Sequence, residues 1–66
     1  MPYWIVVTRR GREGYYPPIG TKRVLDREEL EDGTVRWLVE GEEYMSILAG
    51  VLEGVLSVER APEPEG

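Results

Sequence analysis

Four stretches of patterned apolar residues are separated by glycine, proline or dense charge. Residues 3–8 read Tyr-Trp-Ile-Val-Val-Thr, a run of aromatic and β-branched side chains that predicts a strand. Both alternating sets, Tyr3/Ile5/Val7 and Trp4/Val6/Thr8, are mostly apolar, so this strand is expected at the centre of a sheet, covered on both faces. Gly11 and Gly14 then turn the chain. The segment Tyr15-Tyr16-Pro17-Pro18-Ile19-Gly20 is expected as an ordered extended loop, because proline lacks an N–H donor and drives the preceding residue toward extended backbone.

A second strand is expected from Thr21 through Val24 and Leu25, and beyond it two local signals compete. One is helical, with Asp26 as N-cap, Glu29 closing a capping box, Leu25 and Leu30 as a hydrophobic staple, and Gly33 just beyond. The other is a hairpin through Asp32-Gly33 that sets Leu30 opposite Val35 and Glu29 opposite Arg36. The hairpin is preferred, because residues 34–40 alternate as a strand and need a neighbour. In that strand Val35, Trp37 and Val39 share one face, and Arg36, Leu38 and Glu40 the other.

A helix is expected next, with Glu42 and Glu43 in its first turn. Tyr44, Ile47, Leu48, Val51 and Leu52 recur at helical spacing as its core face. Gly54 is expected to end it, and Val55-Leu56-Ser57-Val58-Glu59 to form the last strand. Residues 1–60 then make one domain and residues 61–66 a disordered acidic tail. The fold class is α+β: a small, four-stranded, mostly antiparallel sheet with one helix packed on one face, in the order β-β-β-α-β. A right-handed strand-helix-strand crossover leaves room for the first strand between the two it joins. This layout resembles a ferredoxin-like sandwich lacking its first helix. The stretch Leu52-Glu53-Gly54-Val55-Leu56-Ser57-Val58-Glu59 is similar to the last helix-to-strand corner of such domains.

Size sharpens the picture. A chain of 66 residues hides only about 60% of its unfolded surface on folding, and with neither cysteine nor histidine it can form no disulfide and no ordinary zinc site. A partner subunit is the remaining support, so a homodimer or other homo-oligomer is expected. The N-terminal residues lack the pattern of a signal peptide, and the apolar-rich run at 44–58 includes Glu53 and falls short of the roughly 20 residues a bilayer needs. A cytoplasmic location without membrane contact is expected. The chain also lacks Asn and Gln and uses seven Arg against one Lys, which suits a thermophile.

Charge is polarised along the chain. Residues 1–27 hold six basic and two acidic groups, whereas residues 28–66 hold two basic and eleven acidic ones. The two segments are expected to meet each other, within or between subunits. Catalysis is not expected, since Ser46 and Ser57 have no histidine or cysteine to join and only Lys22 could act as an amine base. The acids Asp26, Glu28, Glu29, Glu31 and Asp32 match no calcium loop, so they are read as a solvated corner, and no metal or cofactor is expected.

The remaining chemistry lies in Arg9, Arg10 and Arg12 beside Tyr15 and Tyr16. Cations next to stacking aromatics can hold single-stranded nucleic acid, a reading that the net charge of −5 opposes. Tyrosine, arginine and rigid proline also suit a protein contact. The preferred function is therefore a small non-catalytic interaction module that self-associates through its open sheet face and the Tyr-Tyr-Pro-Pro loop. Its candidate contact residues are Arg9, Arg10, Arg12, Tyr15, Tyr16 and Trp37. Nucleic-acid binding through the arginine turn, and an acidic inhibitor or decoy of a host enzyme, are the alternatives.

Overall fold

The run of β-branched and aromatic residues near the start forms strand β1 (Tyr3–Arg9), which lies between β3 (Thr34–Gly41) and β4 (Val55–Ala61). Strand β2 (Thr21–Glu29) pairs on the far side of β3, giving the order β2-β3-β1-β4 with every neighbour antiparallel. The computed structural model describes residues 1–65, with the backbone alone at Arg12 and Glu13. Two connections cross the sheet. The first holds a single helical turn, α1 (Arg12–Tyr15), and the Tyr-Tyr-Pro-Pro loop; the second holds a 3-10 segment (Glu43–Ile47) that runs into α2 (Leu48–Val51). The α+β class, with four antiparallel strands in ferredoxin-like order and one short helix between β3 and β4, is as the sequence predicts, whereas the helical turn α1 is not, since Tyr15 is expected there to begin an extended loop.

The core lies on one face of the sheet. Trp4 and Val6 on β1 are buried there with Val35, Trp37 and Val39 on β3, and Met45, Leu48 and Val55 close over them. Thr8 continues the β1 series, and its hydroxyl accepts the indole N–H of Trp37 at 3.3 Å. The expectation that β1 is covered on both faces is not met. Tyr3, Ile5 and Val7 are only half-buried, and no element lies over their face among the described residues.

The hairpin prevails over the capping-box helix at residues 26–31, with a register one residue from that expected. Glu29 pairs with Val35 and Glu28 with Arg36, while the Leu30 N–H donates to the Thr34 carbonyl at 2.8 Å. The connection therefore has three residues, Glu31, Asp32 and Gly33, rather than two. Gly33 adopts φ +87°, the left-handed position a three-residue hairpin requires. Asp32 secures the turn by accepting the Thr34 N–H at 3.0 Å and its hydroxyl at 2.6 Å.

The helix differs most from expectation. It begins as 3-10 and becomes α-helical only for its last four residues. Its start is fixed from outside, where the Trp4 indole N–H donates to the Glu42 carbonyl at 3.1 Å and the Glu42 N–H donates to Gly20 at 3.0 Å. At 3.0 residues per turn, side chains three apart align. Met45 and Leu48 thus point into the core, whereas Tyr44 and Ile47 are 47% and 59% exposed. Val51 and Leu52 are exposed as well, so four of the five residues expected as the core face lie outside it. Among the described residues no helix is long and apolar enough to cross a membrane.

Candidate functional site

The two crossing connections lie over the same face of the sheet and leave a cleft between them. Tyr16, Pro17, Pro18 and Ile19 form one wall, Leu52 and Val55 the other, and Thr8 the floor, around a volume of about 300 Å³. The prolines position the first wall. Pro18 is buried, and its carbonyl accepts the Thr21 N–H at 3.1 Å, so the loop enters β2 through a fixed turn. Gly20 closes that turn at φ +93°, and a Cβ there would lie 3.0 Å from ring atoms of Tyr44. Loop and 3-10 segment therefore touch at one end of the cleft.

The second wall hangs from the corner between α2 and β4. The Val55 N–H donates to Leu52 at 3.1 Å, and the Gly54 carbonyl accepts the Arg9 N–H at 2.9 Å. Leu52 is extended, with φ −106° and ψ 122°. It thus leaves the helix before Gly54, the expected terminator.

An arginine absent from the sequence-based candidates holds the loop side together. The Arg27 guanidinium on β2 donates through Nε to the Gly14 carbonyl at 3.0 Å and also through Nη2. Its carbon lies 5.4 Å from the centre of the Trp37 ring. At the other edge of the sheet Arg60 lies 5.2 Å over Trp4. Arg27 and Trp37 are direct cross-strand partners, as are Arg60 and Trp4. Each edge strand thus places a cation on a tryptophan of the strand beside it, an attraction of about 0.5–1 kcal/mol at accessible positions. Register alone could have suggested the first pair, had the hairpin been given three loop residues.

The candidate contact residues are divided by the fold. Tyr16 lines the cleft, and Tyr15 beside it is 75% exposed. Arg9 is exposed at the end of β1, and Arg10 forms an exposed ion pair with Glu29 at 3.7 Å. The Arg12 side chain lies outside the described residues. Trp37 is 3% exposed and sits in the core beneath Arg27, apart from the surface that the tyrosines share.

Charge distribution follows the polarity of the chain. Arg10 and Arg27 reach Glu29, Lys22 reaches Glu42 at 3.3 Å, and Arg23 reaches Glu40 at 3.4 Å. Each joins a cation of the basic segment to an acid of the acidic one. Arg36 with Glu28 and Arg60 with Glu43 complete the pairs. Within the acidic corner, Asp32 has its carboxyl held below the usual range by the hydroxyl and N–H of Thr34. No group of three or more metal-ligating side chains gathers among the described residues. The chain matches no protein-family model, no curated protein and no solved structure in such comparisons.

Proposed function

We propose that this chain is a small, non-catalytic protein-interaction module that self-associates, using the Tyr-Tyr-Pro-Pro loop and the outer side of the short helix as its contact surface. The observation that carries this reading is the amount of apolar side chain left in water on the layer over the core. Tyr16 and Ile19 on the loop and Tyr44, Ile47 and Val51 on the helical segment are each between 47% and 64% exposed. Isolated apolar residues on a surface need no explanation, but here Tyr16 and Ile19 line an apolar cleft and further exposed apolar residues lie on the segment that leads to its other wall, a combination that suits a binding surface. Rigid tyrosine and proline offer contact area at little entropic cost.

The open face of the sheet is the weaker surface for this purpose. Its apolar strip, Tyr3, Ile5, Val7 and Leu38, is half-buried, and the ion pairs Arg23–Glu40 and Arg36–Glu28 flank it. Nucleic-acid binding is disfavoured because Arg10, Lys22, Arg23 and Arg27 each face an acid of the same chain. Sedimentation across a dilution series tests the reading. A dimer or larger species that dissociates on dilution is expected, and a folded monomer at every concentration would overturn it. Single-stranded oligonucleotides at low salt provide the contrast. A nucleic-acid protein would bind them, lose affinity steeply with salt, and fail to bind once Arg9, Arg10 and Arg12 become glutamate.

A further inference from the structure

We infer that the open face of the sheet receives a basic amphipathic helix of another protein, one whose apolar stripe is bordered on both sides by lysine or arginine. This face lies opposite the cleft, so the inference does not depend on the self-association proposed above. One row of side chains across the four strands carries it. The register places Asp26 beside Leu38, Leu38 beside Ile5 and Ile5 beside Glu59, so that an acid stands at each end of an apolar pair. Arg27 and Arg60, the next residues along β2 and β4, lie over tryptophans of the core face, and Asp26 and Glu59 therefore point to the open one. Both acids are exposed, and neither forms an ion pair among the described residues. Their neighbours on this face are matched, Glu28 by Arg36 and Glu40 by Arg23.

Size and charge define the occupant. Tyr3, Ile5 and Val7 form an apolar strip along β1 with Leu38 beside it, and a hollow of about 230 Å³ lies between Ile5, Leu38, Asp26 and Arg36. Strands are spaced by about 4.8 Å, which sets the two acid-bearing edge strands roughly 14 Å apart, and a helix with its side chains is about 10–12 Å across. A helix laid along β1 and β3 thus fills the space between the two carboxylates. Cationic side chains on its flanks rest their stems on Ile5 and Leu38 and bring their heads to Asp26 and Glu59. Arg9 ends β1 on the same face, also without an ion pair, which suits the negative C-terminal end of that helix. A second copy of this chain fits poorly. Its own open face would set carboxylate against carboxylate, and its helical segment, residues 43–51, brings Glu43 and no basic residue.

The test uses the whole chain and two synthetic helical peptides of equal length that share one leucine stripe, bordered by lysine in the first and by glutamate in the second. In amide NMR spectra the lysine peptide is expected to shift Ile5, Leu38 and Glu59 and to leave Ile19 and Leu52 of the cleft in place, while the glutamate peptide shifts neither group. Asp26→Asn and Glu59→Gln keep the size of exposed side chains, so the fold should persist. Each is expected to raise the dissociation constant of the lysine peptide about threefold, and the two together about tenfold. Glu53 is an exposed acid at the α2–β4 corner without an ion pair. Glu53→Gln should leave the affinity unchanged, which separates this face from simple attraction to net negative charge. The inference is overturned if the lysine peptide shows no saturable binding below about 1 mM, if it shifts the cleft residues instead, or if Glu53→Gln weakens it as much as the two face variants do.

Discussion

Arg27 joins three parts of the molecule that the chain separates: the α1 turn through the Gly14 carbonyl, β3 through the Trp37 ring, and Glu29 on its own strand. Its charge-assisted hydrogen bonds and its stack over the ring act together. Arg27→Ala is therefore expected to lower unfolding free energy by about 1–2 kcal/mol in urea titration. Arg27→Lys should recover less than half of that, because an ammonium cannot bridge carbonyl and ring as a planar guanidinium does. Thr21 makes the opposite case. Its hydroxyl is buried with no hydrogen-bond partner among the described residues, so Thr21→Val should stabilise the protein by about 1 kcal/mol. A melting temperature below that of the wild type would refute this. At Gly41, a Cβ would meet Met45 and lie 2.7 Å from the Gly20 carbonyl oxygen. Gly41→Ala is expected to cost about 1–3 kcal/mol through the forced shift of that junction.

At the level of elements, the strands and the presence of a helix between β3 and β4 were legible in the sequence, whereas the buried face of that helix was not. Residues 3–8 and 34–40 carry enough β-branched and aromatic side chain to declare themselves, and the hairpin between β2 and β3 follows from Asp32 and Gly33. Its register could not be read from those two residues, because a two-residue and a three-residue connection differ only in where Leu30 pairs. The periodicity at 44–52 was misleading for a physical reason. It assumes 3.6 residues per turn, but contacts of Glu42 with Trp4 and Gly20 tighten the first turns to 3-10 geometry. No local pattern announces those long-range contacts. The cleft was hidden for the same reason, since its walls, Pro17-Pro18 and Leu52, belong to different crossovers. Tyr15 and Tyr16 were found through their proline context, whereas Arg27 left no signal without the register. The hairpin also has a pH dependence. The Asp32 carboxyl is held low in the folded chain, so its contribution is present above the ordinary aspartate range near pH 4 and is lost as pH falls through the depressed folded value. Asp32→Asn should flatten the acid limb of stability measured between about pH 5 and pH 2.

At the scale of the whole molecule, the two charge segments fold against each other, which turns a sequence-level polarity into pairs across β2, β3 and the loops. Such exposed pairs contribute little each, so moderate salt should shift the thermal midpoint by only a few degrees. If the apolar cleft is the principal contact, self-association should likewise survive 0.5 M salt, where an arginine-driven complex would dissociate. Both edge strands are irregular while the central pair is not. Strand β2 shifts register twice against β3, and β4 shifts once against β1, whereas β1 and β3 run in unbroken register. A bulged edge is a poor template for another strand. Growth of the sheet by addition of a further strand is therefore disfavoured at both margins.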